Sequence, residues 1–246
     1  MSDVLIEQLV CRMGGRTVLQ IPRLAVNAGE RVAVIGPNGA GKSTLLRALG
    51  GFVPAGDATV QVLGRNVQAP RHTPQGRLWC AQVGQLHQAL HLVGRLSAIE
   101  NVLIGALHRV PGFHSWLRWF PQPLVNEAHA ALEQVGLLDR ADHRTDQLSG
   151  GERQKVSLAR LKLQQPRLIL ADEPTSALDP RAALHIGQWL REGFAGVTSI
   201  TVVHQPDLLP LVADRVLGLQ DGRIVLDSPV HQVTPSQLTT LYGATV

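Results

Sequence analysis

"RVAVIGPNGAGKSTLLRALGG", residues 31–51, decides how the rest of the chain is read. It opens on an apolar, β-branched run of the kind buried in a parallel sheet. Next, "GPNGAGKS" (36–43) fits G-x-x-x-x-G-K-[ST], and "KSTLLRALGG" reads as a helix stopped by Gly50 and Gly51. Strand, glycine loop and helix in that order make an anion cradle. The glycines let backbone N–H groups wrap phosphates, and the helix start adds a partial positive charge. The cradle runs over Gly36, Pro37, Asn38, Gly39, Ala40, Gly41, Lys42, Ser43 and Thr44. Lys42 is placed to reach β- and γ-phosphates, and the Ser43 hydroxyl to ligate Mg2+. The bland alternative is a glycine turn that happens to precede Lys-Ser, and the strand–loop–helix setting weighs against it.

Outward from this stretch, "LILAD" (168–172) and "SITVVH" (199–204) are further apolar runs ending in polar groups, and "PRAALHIGQWLREGF" between them reads as a helix. Strands alternating with helices imply an α/β core with a mostly parallel sheet. Residues 3–30 and "ATVQVLGRNV" (58–67) alternate like short strands of a small antiparallel layer. Residues from about 92 to 163 carry little strand signal and several helical stretches, "VNEAHAALEQVGLL" among them, which implies an inserted helical subdomain. Pro111, Pro121 and Pro123 break up "VPGFHSWLRWFPQP".

The 246 residues suffice for one large domain, or one core with an insertion. The net charge of +4 is arginine-based, since Lys42, Lys155 and Lys162 are the only lysines. No dense basic run appears, so the excess suits plain solvated surface as well as nucleic acid, an anionic membrane or phosphorylated ligands. Cys11 and Cys80 lie far apart and indicate neither a disulfide framework nor a zinc site. "MSDVLIEQLV" carries acids and lacks the basic start of a secretion signal. No run approaches the ~20 apolar residues of a spanning helix. The expectation is a soluble intracellular chain.

"LILADE" (168–173) supplies paired carboxylates at a strand end: Asp172 to hold Mg2+, Glu173 to orient or deprotonate an attacking water. Such pairs often only cap the next helix; a phosphate loop upstream favours the catalytic role. His204 ends the next apolar strand, where it is placed to meet a γ-phosphate, although a lone strand-end histidine is more often structural. "TDQLSGGERQK" (145–155) sets Ser149, Gly150 and Gly151 at a second helix start, more than a hundred residues from the first cradle. Alone it would read as a loop entering an amphipathic helix.

Together, "GPNGAGKST", "LSGGERQ", "ILADEPTSALDP" and "VVHQPD" resemble the ATP-binding-cassette family in order and spacing, over essentially the whole chain. The resemblance implies an α/β fold: a P-loop NTPase (RecA-like) core, a small antiparallel β layer and an inserted helical subdomain. It divides a single domain, 1–246, into a core (1–91 and 164–225), a helical part (92–163) and a C-terminal tail (226–246). It implies an ATPase using ATP and Mg2+, with Glu173, His204, Lys42 and Gln88 catalytic and Ser43, Gln88 and Asp172 around the metal. Ser149, Gly150, Gly151 and Glu152 are implied to face the γ-phosphate of a second copy, in a homodimer closed around two ATP molecules. "SALD" (176–179) resembles the loop whose Ser176 and Asp179 touch the partner chain. Gln82, Gln85 and Gln88 are candidates for the family's coupling glutamine. Gln88 puts "VGQLHQALHLVGRLS" in frame, although His87 stands where that pattern has an apolar or aromatic residue. Met13 occupies the place of the aromatic that commonly stacks on adenine. A thioether on a ring contributes ~0.3–1.5 kcal/mol, and plain core filling is the other reading.

"LVGRLSAIENVLIGALHR", "FHSWLRWF", "ADRVLGLQDGRIVLDSP" and the terminal "LTTLYG" resemble the ATPases of phosphonate importers. That implies a peripheral subunit on the cytoplasmic side of the cell membrane, importing phosphonate or a related oxyanion. It would work with transmembrane permease subunits and, indirectly, a periplasmic or extracellular substrate-binding protein. "FHSWLRWF" is either part of the permease-facing surface or core. The alternatives are an importer of a different small solute, and an ATP-binding accessory of a soluble complex such as a phosphonate-degrading assembly. No nucleic acid is expected: cassettes acting on it usually duplicate or carry a long coiled coil, and neither fits this length without repeats.

Overall fold

The apolar run at residues 31–35 becomes β3 (Arg31–Ile35), an inner strand of a six-stranded sheet. The structure is a computed structural model and describes residues 1–110, 119–176 and 178–243. β3 lies between β8 (Thr198–Val202) and β9 (Arg215–Gln220), parallel to both. Beyond β8 the parallel set continues through β7 (Leu168–Asp172) and β6 (Val83–Leu86). β10 (Arg223–Pro229) closes the far edge antiparallel to β9. Val32 to Ile35 and Leu168 to Ala171 are all buried, as parallel strands covered on both faces must be. Val34 pairs with Val202, Asp172 with Val202, and Leu86 with Ala171. Four strands therefore end level, and Gly36, Glu173, His204 and His87 leave the sheet at one edge. Open α/β sheets bind ligands at that carboxyl edge.

A second sheet, in the order β2–β1–β4–β5, is antiparallel: β1 (Ser2–Met13), β2 (Arg16–Asn27), β4 (Thr59–Val62) and β5 (Arg65–Asn66). Its buried face, with Val4, Ile6, Leu19 and Ile21, shares one core with β3 and α1 (Lys42–Leu49). The hairpin clamps the phosphate loop: Gln20 N donates to Gly222 O (2.7 Å), and Gly222 N donates to Ala40 O (3.1 Å).

The region expected to be helical holds α3 (Ala98–Ile104), α4 (Gln122–Gln134) and α5 (Gly150–Gln164), packed on one another; α2 (Pro74–Gln82) precedes β6. Val102, Ala128, Leu132 and Leu158 form their common core. Most of the "FHSWLRWF" stretch lies outside the described residues, but Phe120 packs against this core and Trp119 is exposed. α6 (Pro180–Gly193), α7 (Leu209–Val212) and α8 (Pro235–Tyr242) follow in chain order. The expected tail boundary at 226 falls inside β10, and Leu226, Leu238 and Leu241 pack with Ile35 and Val216. Residues 226–243 thus belong physically to the sheet domain.

The segment 93–97 makes only an isolated bridge, Ser97 with Arg144, and side chains satisfy much of the rest of its backbone. Fully buried Asn101 accepts from Val93 N (2.8 Å) and donates to Val93 O (3.1 Å) and Ser97 O (3.0 Å); the Thr145 hydroxyl also donates to Val93 O (3.0 Å). Asn101→Ala should cost about 1–3 kcal/mol by orphaning buried polar groups. Thermal unfolding should then show a melting temperature roughly 3–10 °C lower; an unchanged value would contradict this account.

Candidate functional site

Gly36 and Gly41 shape the phosphate loop because nothing larger fits. A Cβ on Gly36 would lie 2.0 Å from Leu219 O, and one on Gly41 2.9 Å from Val18 O, with φ at +143° and +100°. Gly41 is the N-cap of α1 with no side-chain cap, so the first-turn N–H groups remain for an anion. Lys42, only 6% exposed, folds back so that Nζ donates to Gly36 O (2.7 Å) and Pro37 O (2.9 Å). Burial pushes its pKa down, while the charges of Glu173 and Asp172 pull it up. Gly36 N meets the Tyr242 hydroxyl at 3.4 Å, a brace from the end of α8.

Ser43 Oγ donates to Asp172 Oδ1 across 3.2 Å. Burial pushes the Asp172 carboxyl above its ordinary value, with the Ser43 bond opposing and Glu173 adding to the rise. One hydroxyl and one desolvated carboxylate are the small protein share that Mg2+ takes when phosphate and water supply the rest. The residues present fit that ion.

Glu173 begins the turn after β7 with φ +52°, a region in which a residue with a side chain is strained. Its Oε1 lies 2.5 Å from His204 Nε2, and its side chain is 17% exposed. Ser176 N and Oγ both donate to Glu173 O (3.2 Å each), and Gln154 Nε2, from α5, donates to Pro174 O (2.8 Å). The carboxylate–imidazole pair is thus held where the four strands end. Such a pair can orient a water and take its proton.

Of the three glutamines, Gln82 ends α2 and Gln85 lies within β6 against Gly50, whereas Gln88 is exposed in the turn just past β6. His87, half-buried, sits between His91 (ring centroids 4.4 Å apart) and the field of Asp172. Burial lowers its pKa first, His91 adds to the drop, and Asp172 opposes it. Met13 ends β1 at 49% exposure, so it fills no core.

Ser149 caps α5: its Oγ accepts from Glu152 N (3.3 Å), and Glu152 Oε2 accepts from Ser149 N (2.8 Å). The bond from Ser149 N, helped by the Ser149 side chain, holds the Glu152 carboxyl below its ordinary value. Ser149 and Gly150 are exposed, and a Cβ on Gly150 would meet nothing within 4 Å. Asp179 likewise caps α6, its Oδ1 accepting from Arg181 N and Ala182 N (3.1 Å each). Ser176 is exposed; Ala177 lies outside the described residues. The sequence reading missed both capping roles, although S-x-x-E at a helix start is a known signature. Gln154 and Tyr242 were missed as well, since no local pattern pairs them with distant backbone.

The ABC transporter family model matches residues 19–176. The chain is 40% identical over 231 residues to the phosphonates import ATP-binding protein PhnC 2 of Synechococcus sp. (strain JA-2-3B'a(2-13)), spanning 93% of this chain and 86% of that one. It is 39% identical over 249 residues to the phosphonates import ATP-binding protein PhnC of Stutzerimonas stutzeri, spanning 99% and 90%. Among solved structures it resembles the dimeric post-hydrolysis cassette MJ0796 bound to ADP and Pi, with TM-score 0.76 and 25% identity over 92% of this chain and 98% of that one.

The raised Asp172 carboxyl makes a stability prediction with a definite sign. Above the unfolded value the native chain binds more protons than the unfolded chain, so stability falls as pH rises through the folded value. Asp172→Asn, neutral throughout, should raise the melting temperature of the nucleotide-free chain at neutral pH. The gain should shrink as pH falls toward about 4. An equal or lower melting temperature at neutral pH would contradict the burial argument.

Proposed function

This chain belongs to the ABC transporter family as an ATP-hydrolysing cassette, and we propose that it energises import of phosphonate, or a related oxyanion, through separate membrane subunits. The observation that carries the mechanism is a division of labour on the surface. Lys42, Ser43, Asp172, Glu173 and His204 meet at the sheet edge, while the Ser149–Gly150 helix start is exposed. The phosphate machinery therefore invites a second copy, whose exposed helix start would complete the site. Two chains related by a twofold axis make two such sites, and the resemblance to a dimeric cassette supports this arrangement.

In this reading the backbone N–H groups from Gly39 to Thr44 and the Lys42 ammonium bind the β- and γ-phosphates. Ser43 and Asp172, with Gln88 reaching in from its turn, hold Mg2+. The ion, when bound, neutralises charge on the phosphate oxygens. Glu173 orients the attacking water and takes its proton, and His204 fixes that carboxylate and faces the γ-phosphate. Ser149, Gly150 and Gly151 of one copy donate to the γ-phosphate bound by the other, with Glu152 holding the helix start in shape. Ser176 and Asp179 line the same seam, and Met13, exposed at the hairpin tip, packs on adenine.

Closure and reopening of the dimer would move the helical part, residues 92–163, against the core. A groove of about 590 Å3 between the two, lined by Phe52, Arg71, Trp79, Gln85, His87 and Leu107, supports docking of a membrane subunit there. Among the described residues no helix is long and apolar enough to cross a membrane. This supports a peripheral subunit on the cytoplasmic face, with permeases spanning the bilayer and a substrate-binding protein choosing the cargo. The names of both relatives support phosphonate as that cargo. Neither is named for a soluble degrading assembly.

Glu173→Gln should retain ATP affinity while turnover falls by about 10²–10⁴, and size-exclusion chromatography with Mg-ATP should show a dimer. Elution only as a monomer would contradict the shared site. Reconstituted with its membrane subunits and binding protein in vesicles, the chain should hydrolyse ATP faster when methylphosphonate is supplied. An equal rate with and without phosphonate, but stimulation by another solute, would overturn the cargo.

A further inference from the structure

Gln88 is followed by a turn that carries strain. Leu90 and His91, consecutive residues with side chains, have φ of +58° and +46°, a region such residues rarely adopt. Their carbonyls are gripped by one side chain from far along the chain. Arg160 Nη2 donates to Leu90 O (2.8 Å) and Nη1 to His91 O (2.9 Å). A planar guanidinium can hold two acceptors at once in a fixed spacing, which a lysine cannot.

Arg160 is on α5, the helix whose first turn is the exposed Ser149–Glu152 segment. The last turns of α5 are locked to the strand that leads into the loop. A Cβ on Gly84 would lie 2.4 Å from Leu161 Cδ1, and Gln164 Nε2 donates to Ala81 O (3.0 Å) and Val83 O (3.2 Å). A Cβ on Gly105 would lie 2.3 Å from Arg160 O, so α3 presses on α5 at the same level. Arg160 also borders the groove that holds His87 and Gln85.

We propose that Arg160 is a positioning residue for ATP hydrolysis: its two bonds hold the Leu90–His91 turn to α5, so that Gln88 at one nucleotide and Ser149 at the other are set by one rigid unit. The inference rests on the roles given above to Gln88 and Ser149. It assigns no contact between Arg160 and ATP. The phosphate cradle is built on β3 and α1, to which Arg160 makes no hydrogen bond. Loosening the turn therefore leaves the cradle's hold on the phosphates intact and slows the step that needs both sites formed together.

The test uses the full chain with Arg160→Met and Arg160→Lys, the second keeping the charge and losing the fork. The affinity for a fluorescent ATP analogue without Mg2+ should stay within about twofold of the parent, while kcat with Mg-ATP falls about tenfold or more in Arg160→Met and less in Arg160→Lys. Two sites that must form together predict a sigmoidal ATP dependence of the rate in the parent, which Arg160→Met should lose. A folded Arg160→Met chain with parental kcat and cooperativity would overturn the proposal. So would loss of affinity and kcat in step with a lowered melting temperature, which marks a merely structural role. Should Arg160→Met not fold, Arg160→Lys is judged by the same criteria. Failure of Glu173→Gln to dimerise with ATP would sink the underlying assignment instead; dimerisation together with unaltered Arg160 variants would sink this inference alone.

Discussion

The folded chain keeps opposite charges half out of water at one edge of its sheet, and much of the architecture is a means of holding them there. Lys42 is desolvated and turned onto the carbonyls of Gly36 and Pro37; Asp172 is desolvated across a single hydroxyl bond from Ser43. Burial disfavours the charged form of each in the empty protein, pushing the Lys42 pKa down and the Asp172 pKa up. Preorganised charge of this kind acts when a charged ligand arrives, since no reorganisation is then needed. The level ends of β3, β8, β7 and β6 make it possible, because they bring residues separated by more than a hundred positions to one line.

Around that edge the chain spends single side chains as fasteners. Gln154 of α5 secures Pro174, behind the strained Glu173, and Arg160 of the same helix secures the turn behind Gln88. α5 therefore touches both loops that approach the chain's own nucleotide site while presenting its first turn outward. In the proposed dimer, α5 would be the physical route by which events at one nucleotide reach the other. The Ser149–Glu152 capping box keeps that outward turn formed before any partner arrives.

Much of this was legible in the sequence because it is local. The β3–loop–α1 unit shows as an apolar run, glycines and a helix within twenty residues, and β7 and β8 show as short buried runs ending in polar groups. The tail boundary was misplaced because β10 alternates between exposed and half-buried residues and shows no apolar period. α2 was unread for a similar reason: it has few buried positions and includes Gly76, whose Cβ would lie 2.5 Å from Pro70 O. Arg160, Gln154 and Tyr242 were illegible in principle, since their partners are 20 to 206 residues away and are backbone atoms, which leave no mark in sequence. The capping roles of Glu152 and Asp179 were legible and were overshadowed by the resemblance.

One measurement reaches the central claim directly: occlusion of labelled ATP by mixed chains, all carrying Glu173→Gln. One population also carries Lys42→Ala and the other Ser149→Arg. If each nucleotide lies between the cradle of one chain and the α5 start of the other, neither population alone traps ATP, and mixing restores trapping in the mixed pairs, which contain one intact site. Trapping by either population alone, or none after mixing although mixed dimers form, would show that the two loops do not meet across the pair.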